Sequence, residues 1–385
     1  MRTTFLPFSP PYISREEIDE VVDTLSSNWI TTGPKTKIFE SEFAEFLGAE
    51  SALALNSCTA GLHLALVVSG VGSGDEVITT PMTFCSTVNV IEHVGACPVL
   101  VDVEPDTLNI SPHLIESVIT PRTRAILPVH YTGHPCKMDA IMTIAKEHRL
   151  FIIEDAAHAL PAQFKGQMIG SIGDLTAFSF YATKNITTAE GGMLTGNQEL
   201  IEKARGLSLH GMNRDAWKRY DRGGSWYYEV EYPGFKYNMT DIQASIGLQQ
   251  LKKLDRFQQR RSEIVSRYND AFSECPYFEI PVEQTYVKHS WHLYVLRLNL
   301  ETLKINRDQF IEELKDMNIG TSVHFIPIHR HSYYRKKYGF KQEDFPVADS
   351  NFLRMLSLPL YPKMSDQDIE DVIEAVLDVA EKYKR

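Results

Sequence analysis

The chain has 385 residues, a formal net charge of −11, 43% hydrophobic residues and five cysteines that form no C-x-x-C pair. The acidic balance argues against nonspecific nucleic-acid binding, and the cysteine pattern argues against a zinc site or a disulfide framework, so we expect no bound metal. Because no apolar stretch approaches the ~18 residues of a membrane span and the N-terminus lacks the apolar core of a secretory signal, we expect a cytoplasmic protein without membrane insertion.

Strand and helix patterns alternate through the first half of the chain. In chain order, the predicted elements are helix 15–27, helix 36–47, strand 51–55, helix 62–69, strand 76–80, helix 84–94, strand 98–103, helix 111–119, strand 124–130, helix 138–149, strand 150–155, strands 175–180 and 191–195, and helix 199–207. Such alternation is typical of βαβ units, in which strands run parallel and helices cover both faces of the sheet. The pattern therefore predicts an α/β fold with a large, mostly parallel sheet.

The second half of the chain begins with a segment of a different kind. Residues 210–237 follow no strand or helix period and are rich in Trp, Tyr, Arg and Gly. A structureless stretch of that length is usually a functional loop. A helical pattern then runs without proline from Thr240 to about Phe272, with Thr240 and Asp241 as candidate N-cap residues. A helix of this length often bridges two domains.

Beyond the long helix, short strands and helices predict a small α+β domain. Its predicted elements are strand 289–298, helix 307–317, strand 321–325 and helix 365–384. We therefore divide the chain into a large domain, residues 1–245, and a small C-terminal domain, residues 246–385. This division leaves open that the N-terminal segment packs on the small domain.

The sharpest chemical signal is Lys184, which follows an apolar strand in the segment Phe-Ser-Phe-Tyr-Ala-Thr-Lys-Asn. An earlier apolar strand, Leu-Phe-Ile-Ile-Glu-Asp, ends at Asp155, which should point out of the carboxyl edge of the sheet, where open α/β sheets bind ligands. Pyridoxal phosphate (PLP) chemistry requires a lysine that condenses with the aldehyde and an aspartate that keeps the pyridine nitrogen protonated. We therefore predict PLP as the cofactor, with Lys184 and Asp155 as catalytic residues.

Each of these assignments has a simpler alternative. Asp155 could serve only as an N-cap at a strand–helix junction, or it could be a metal ligand, although no His or Glu accompanies it at metal-ligand spacing. Lys184 could be an ordinary surface lysine. Burial at a strand end would instead lower its pKa and leave the amine free to attack a carbonyl carbon.

Four further features place side chains near the same edge of the sheet. His158 follows Asp155 by three residues and could flank the cofactor ring or its 3-oxygen, although a lone histidine is more often structural. Phe84 follows a strand and could stack on the pyridine ring or pack in the core. Residues 56–61, Asn-Ser-Cys-Thr-Ala-Gly, precede an apolar helix and could bind the phosphate or simply cap that helix. Ser179 could bind the phosphate or be an ordinary strand serine.

Several motifs stand in order along the chain: Asn-Ser-x-Thr-Ala-Gly-Leu, Gly-Asp-Glu-Val-Ile-Thr, Ile-Glu-Asp-Ala-Ala-His-Ala, Phe-Ser-Phe-x-x-x-Lys-Asn-Ile and Glu-Gly-Gly-Met-Leu. Together they resemble the DegT/DnrJ/EryC1/StrS family of PLP-dependent nucleotide-sugar aminotransferases, over essentially the whole chain. The resemblance implies the aspartate aminotransferase fold (PLP fold type I) and a homodimer. It also implies transfer of an amine from L-glutamate to a nucleotide-linked ketosugar, with 2-oxoglutarate as the second product.

The resemblance also assigns roles to individual residues. Lys184 matches the lysine that binds the cofactor covalently, Asp155 matches its pyridinium partner, and His158 takes the place of the His or Gln beside the ring. Phe84 matches the stacking aromatic residue. The residues that match the phosphate binders are Thr59, Ala60 and Ser179. Asn238 matches an asparagine that, in the family, reaches the phosphate of the neighbouring subunit, so the resemblance implies a homodimer with shared active sites.

The motifs look most like those of the UDP-4-amino-4-deoxy-L-arabinose–oxoglutarate aminotransferases within the family. Phe84 departs from the Trp of that subgroup and Cys58 occupies a usually small position, so the identity of the sugar stays open. Thr31 and His329, the latter in the basic and aromatic stretch 329–338, are candidate substrate residues. Surface roles are the alternative for both, and equally for Trp217, Arg219 and Lys236.

The sequence thus predicts a PLP-dependent aminotransferase that acts on a UDP-4-ketosugar with L-glutamate as the donor, in lipopolysaccharide or other polysaccharide biosynthesis. The alternatives are amination at C3 and a non-catalytic PLP-binding regulatory protein. A nucleotide-sugar dehydrogenase or epimerase would need a Gly-x-Gly-x-x-Gly turn after its first strand. The sequence lacks this turn, and the glycines at 70–74 instead end a helix.

Overall fold

A seven-stranded sheet forms the centre of the larger part of the molecule. The computed structural model describes residues 2–212 and 227–385. In the first of these ranges the strands are β1 (Ser51–Leu55), β2 (Glu76–Thr79), β3 (Cys97–Leu100), β4 (Thr123–Ile126), β5 (Phe151–Asp155), β6 (Gln163–Phe164), β7 (Gln167–Met168), β8 (Leu175–Ser179) and β9 (Gly192–Gly196). β6 and β7 form a hairpin outside the large sheet, and the other strands make up that sheet.

The strand order of the large sheet is β1-β9-β8-β5-β4-β2-β3. Strands β2, β3, β4, β5 and β8 pair in parallel, whereas β9 runs antiparallel to both β8 and β1. The predicted α/β fold with a mostly parallel sheet is confirmed. Because β4, β5 and β8 are parallel neighbours, their carboxyl ends meet at one edge, where such sheets bind ligands.

Helices cover both faces of this sheet. In chain order the helices are α1 (Arg15–Ser26), α2 (Pro34–Leu47), α3 (Cys58–Val68), α4 (Cys85–His93), α5 (Pro112–Ile115), α6 (Met138–His148), α7 (Gln198–Ser208), α8 (Asp241–Phe272), α9 (Arg307–Asp316), α10 (Ser332–Tyr338), α11 (Pro346–Phe352) and α12 (Asp366–Lys382). Within the described ranges, none of them combines the length and the hydrophobicity that a bilayer crossing requires.

Two hydrophobic cores lie on opposite faces of the sheet because successive strand residues point to opposite sides. In β5, Ile152 joins the core formed with α2, α6 and α8, and Ile153 joins the core formed with α3, α4 and α7. Both isoleucines are buried, as are Phe39 and Phe43 of α2. Burial of each such side chain contributes about 1.5–3 kcal/mol, so these cores hold the carboxyl edge of the sheet in place.

The C-terminal part has a core of its own around a three-stranded antiparallel sheet, β10-β12-β13. The strands of this part are β10 (Phe278–Glu279), β11 (Val287–Lys288), β12 (Tyr294–Leu298) and β13 (Met355–Leu358). Helix α8 contributes Leu251 to a core of the large sheet and Tyr268 to the C-terminal core, so it joins the two parts as predicted. The division at residue 245 stays a prediction.

Two features of the C-terminal part differ from the predictions. The strand expected over 321–325 does not form. In this segment only Ser322 pairs with another strand residue, through an isolated bridge to Ser357, and the chain then turns toward the large sheet. The strand expected over 289–298 begins only at Tyr294. Trp291 adopts a positive φ of 47°, which an extended strand does not allow.

The N-terminal segment crosses to the C-terminal part. Leu6 pairs in parallel with Ile319, and its backbone N–H donates to the carbonyl oxygen of Asn318 at 2.8 Å. The Arg2 guanidinium contacts the carboxylates of Asp368 and Asp371. The first residues of the chain therefore pack on its last helix.

Candidate active site

A cavity of about 500 Å³ opens at the carboxyl edge of the large sheet, where β5 and β8 end. Several residues predicted for the site lie in its wall, although they come from four separate segments of the chain. They are Thr59, Phe84, Asp155, His158, Ser179 and Lys184. The sheet therefore brings the predicted carboxylate, amine, imidazole and aromatic ring to one place.

Asp155 is the last residue of β5 and is buried. Its Oδ2 accepts a hydrogen bond from Thr87 Oγ1 at 2.7 Å, and its Oδ1 accepts one from the backbone N–H of Ala157 at 3.1 Å. Burial raises the pKa of Asp155, while these two hydrogen bonds and the positive charge of Lys184 oppose that rise. The carboxylate is thus held in a fixed orientation, and the hydrogen bonds and the charge of Lys184 offset the cost of its burial only in part.

Lys184 lies in the turn after β8, five residues beyond Ser179. Burial lowers the pKa of its amine to about 8, against the opposing effects of Cys58 and Asp155. The next residue, Asn185, is buried and donates through Nδ2 to the carbonyl oxygens of Leu160 at 2.7 Å and Ser290 at 2.9 Å. These bonds fix the turn that carries Lys184.

His158 packs between two other rings in the cavity wall. Its ring centre lies 5.6 Å from that of Phe325 at an interplanar angle of 23°, and 4.5 Å from that of His292. Burial lowers the pKa of His158 well below its ordinary value, so the imidazole is neutral. Its Nδ1 is buried and has no hydrogen-bond partner among the described residues.

The N-terminus of α3 forms another side of the cavity. Ser57 caps this helix, and its Oγ accepts from the backbone N–H of Ala60 at 3.1 Å. The capping role predicted as the alternative for residues 56–61 is therefore present, and Ser57, Cys58 and Thr59 also line the cavity. A Cβ on Gly192 would lie 2.5 Å from the backbone nitrogen of Cys58, so only glycine permits β9 to approach this loop.

The comparison of this chain with known proteins agrees with the geometry of the cavity. Residues 11–377 match the DegT/DnrJ/EryC1/StrS aminotransferase family. The chain belongs to this family. MJ1066 of Methanocaldococcus jannaschii, which has no assigned function, is 57% identical over 100% of both chains. The spore coat polysaccharide biosynthesis protein SpsC of Bacillus subtilis is 56% identical over 98% of both.

Solved structures agree with the family assignment. The PLP form of Spr1654 from Streptococcus pneumoniae, a protein assigned as a sugar aminotransferase, has a TM-score of 0.92 and 39% identity over 98% of this chain and 99% of that one. Helicobacter pylori PseC, an aminotransferase involved in the biosynthesis of pseudoaminic acid, has a TM-score of 0.90 and 30% identity over 99% and 100% of the two chains. The predictions of the family, the fold, the enzyme class and the cofactor are confirmed. The protein is a PLP-dependent sugar aminotransferase.

The cavity of the aminotransferase fits PLP in its chemistry. A buried carboxylate with a raised pKa faces the same space as an amine whose pKa is lowered to about 8. The buried Nδ1 of His158 lacks a partner among the described residues, as expected of a group that contacts a bound molecule. The helix N-terminus at Thr59 provides backbone N–H groups suited to an anion. The residues present are therefore suited to bind the aldehyde, the pyridine ring and the phosphate of PLP.

Sequence reasoning missed residues in the wall of the aminotransferase cavity and beside it. Thr87 reaches Asp155 from the first turn of α4, and its position three residues after Phe84 could have revealed it. His324 and Phe325 come from the segment predicted to be a strand, and both line the cavity. Burial lowers the pKa of His324 to about 4. Among the described residues, the C-terminal part thus contributes three rings to the cavity wall, those of His292, His324 and Phe325.

Four predicted residues lie outside the cavity lining. Ala60 is one residue deeper in α3 and buried, and Thr31 is exposed, with its carbonyl oxygen accepting from the backbone N–H of Asp241 at 3.1 Å. Asn238 Nδ2 donates to Thr32 Oγ1 at 2.7 Å. His329 is buried, and its Nε2 lies 3.1 Å from Asp349 Oδ1.

The basic and aromatic stretch after His329 makes contacts within the protein. Tyr333 and Tyr338 donate through their hydroxyls to the Glu92 carboxylate at 2.8 and 2.6 Å, and Lys337 Nζ also donates to it. Helix α10 is thereby tied to α4, the helix that follows Phe84. Trp217 and Arg219, the loop residues considered for the substrate, lie outside the described residues, and Lys236 is exposed.

Proposed function

We propose that the aminotransferase moves an amine from L-glutamate to the ketone of a nucleotide-linked sugar. The acceptor that we propose first is a UDP-4-ketosugar. The observation that carries this proposal is the pairing of Lys184, with its lowered pKa, and the buried Asp155 in a cavity of about 500 Å³. The relatives support the choice of acceptor, since SpsC is named for polysaccharide biosynthesis and PseC for pseudoaminic acid biosynthesis.

Lys184 acts as the proton carrier in this proposal. When bound, PLP supplies a ring that accepts the electron pair left behind as the amine carbon of the substrate loses its proton. With a pKa of about 8, about a quarter of the Lys184 amine is neutral at pH 7.5, against about 0.1% for an ordinary lysine. Its Nζ would therefore be able to accept the proton from the amine carbon of the substrate and hold it for its return.

Asp155 and His158 hold the cofactor ring in the proposed site. The Asp155 carboxylate, oriented by Thr87 and Ala157, would hold the ring nitrogen and keep it protonated. The neutral imidazole of His158 would contact the ring or its 3-oxygen. Phe84, whose side chain is 57% exposed at the cavity, is free to stack on the opposite face of the ring.

The phosphate is proposed to bind at the N-terminus of α3, with Thr59, the backbone of Ala60 and Ser179. Asn238 is proposed to reach the phosphate of a neighbouring subunit, which makes the active protein a homodimer with shared sites. This assignment rests on the family motif, and the bond from Asn238 to Thr32 shows that the amide is already oriented by the loop at residues 31–33.

Absorbance spectroscopy on the PLP-loaded protein tests the proposal. L-Glutamate alone should convert the visible cofactor band to the band of the aminated cofactor, and the correct ketosugar should restore it. UDP-4-ketosugars are compared with a nucleotide 3-ketosugar, which separates C4 from C3 amination. Initial-rate plots should be parallel, since the two half-reactions are separate. Intersecting plots, or no spectral response to glutamate, would contradict the mechanism or the donor, respectively.

A matched variant shows whether the response depends on the proposed lysine. Lys184→Met should lose both the visible band and turnover, whereas Lys336→Met, at an exposed position of α10, should keep both. Turnover by Lys184→Met would remove the basis of the assignment.

A further inference from the structure

A short segment of the C-terminal part, residues 290–292, contacts both the turn that carries Lys184 and the turn that carries His158. The His292 ring packs on His158, with ring centres 4.5 Å apart. Ser290 Oγ donates to the carbonyl oxygen of His158 at 2.6 Å, and the Ser290 carbonyl oxygen accepts from Asn185 Nδ2 at 2.9 Å. The turn that carries Lys184 and the turn that carries His158 are therefore attached to the same three residues.

The hydrogen bonds of Asn185 determine the protonation of His292. Both protons of Nδ2 have carbonyl acceptors, at Leu160 and Ser290, so the atom that faces His292 Nδ1 at 3.1 Å is the oxygen Oδ1. His292 Nδ1 therefore carries the hydrogen and donates it. Burial, followed by the charges of nearby groups, lowers the pKa of His292 well below its ordinary value; these groups are His158, Lys184, Arg261 and His324. His292 is thus a neutral ring in one fixed tautomer.

We propose that Asn185 and His292 form a positioning pair, whose hydrogen bond holds the turn that carries Lys184 against the ring that supports His158. Both residues are buried, at 7% and 5% exposure, and each bond partner is itself fixed by the protein. The Arg261 guanidinium contributes, because its Nη1 donates to the carbonyl oxygen of His292 at 3.3 Å. The pair acts through Lys184 and His158, so the inference rests on the roles proposed for those two residues.

Two substitutions at one position separate the hydrogen bond from the packing. His292→Asn places an amide N–H where Nδ1–H stands and so keeps the donor to Asn185, whereas His292→Phe keeps a ring against His158 but has no donor. For the PLP-loaded enzyme, His292→Phe should lower kcat by about 10²-fold with KM values nearly unchanged, since a misplaced reacting group slows the chemical step. Its visible circular dichroism, which reports the orientation of the bound cofactor, should also change. His292→Asn should recover most of both.

The control is Asn351→Ala. Asn351 is also buried and doubly bonded, with Nδ2 donating to the Val347 carbonyl oxygen at 2.9 Å and Oδ1 accepting from Arg354 at 2.8 Å, but it does not line the cavity. This variant should lower the unfolding temperature and leave kcat and the circular dichroism unchanged.

Two outcomes would overturn the positioning pair: wild-type kcat and circular dichroism in His292→Phe, or equal loss in His292→Asn and His292→Phe. The circular dichroism comparison needs no substrate, so it decides the matter even when glutamate or the ketosugar proves to be the wrong partner. A wild-type protein that binds PLP without a visible band would instead contradict the role of Lys184.

Discussion

Replacement of Lys184 by methionine should stabilise the cofactor-free protein, although it removes the residue proposed to bind PLP. Burial lowers the pKa of Lys184 from 10.5 to about 8. Each pKa unit corresponds to about 1.4 kcal/mol, so the buried ammonium ion costs about 3 kcal/mol at neutral pH. Methionine keeps most of the chain length and removes the charge. The attraction between this charge and Asp155 is already included in the lowered pKa, so we expect a net increase in unfolding free energy of about 3 kcal/mol.

The increase should depend on pH in a defined direction. Because the folded-state pKa of Lys184 lies below the unfolded value, the unfolded chain binds more protons between pH 8 and 10.5, and wild-type stability rises with pH across that window. The methionine variant lacks this rise. Its advantage should be largest at or below pH 7 and fall below about 1 kcal/mol at pH 10.

Urea unfolding of the cofactor-free proteins at pH 7 and pH 10 measures both quantities. Lys336→Met, at an exposed position, controls for the loss of one positive charge and should stay within about 0.5 kcal/mol of wild type. Equal stability of wild type and Lys184→Met at pH 7, or a gap that does not shrink at pH 10, would refute the desolvation argument.

Three substitutions test the surroundings of the site. Thr87→Val removes the hydroxyl that donates to Asp155 Oδ2, and a hydrogen bond to a charged group is worth about 1.5–3 kcal/mol. Turnover should therefore fall about 10- to 100-fold in Thr87→Val and recover in Thr87→Ser. Unchanged steady-state rates in Thr87→Val would contradict this expectation. Asp155→Asn should retain PLP, seen by absorbance, and lose most of its rate, and full activity would exclude the ring-nitrogen role. Glu92→Gln weakens the bonds from Tyr338 and Lys337 and should cost about 1 kcal/mol at pH 7. Burial raises the pKa of Glu92, but its hydrogen bonds lower it further, so the net shift is downward. The stabilisation that these bonds give should therefore fade as acid protonates the carboxylate. An equal loss of thermal stability in Glu92→Gln at pH 7 and at pH 3 would contradict this prediction.

The alternating strands and helices were predictable because each strand of the large sheet is short, apolar and bounded by polar turns. The same regularity predicted that Asp155 and Lys184 would meet, since β5 and β8 are parallel neighbours and both residues follow carboxyl ends. The chemistry of an amine beside a carboxylate then narrowed the cofactor to PLP. Only local patterns and one topological rule were needed for this part of the site.

The remaining parts of the site depend on contacts that no local pattern encodes. His324 and Phe325 belong to a segment whose alternation resembles a strand, but their side chains turn to the cavity, and only Ser322 pairs with β13. The basic and aromatic stretch 329–338 suggested a substrate site around His329. Polar groups of this stretch contact carboxylates of this chain, Asp349 and Glu92, and composition alone does not specify these partners.

The path of residues 2–12 has a consequence for how the protein is made. Leu6 pairs with Ile319, and residues 9–12 line the small cavity behind Lys184. Protein chains emerge from the ribosome N-terminus first, so residues 2–12 are exposed before Ile319, the partner of Leu6, is synthesised. We expect the wall behind Lys184 to close only after Ile319 has been synthesised, and a chain truncated before that residue to form the large sheet without a competent site.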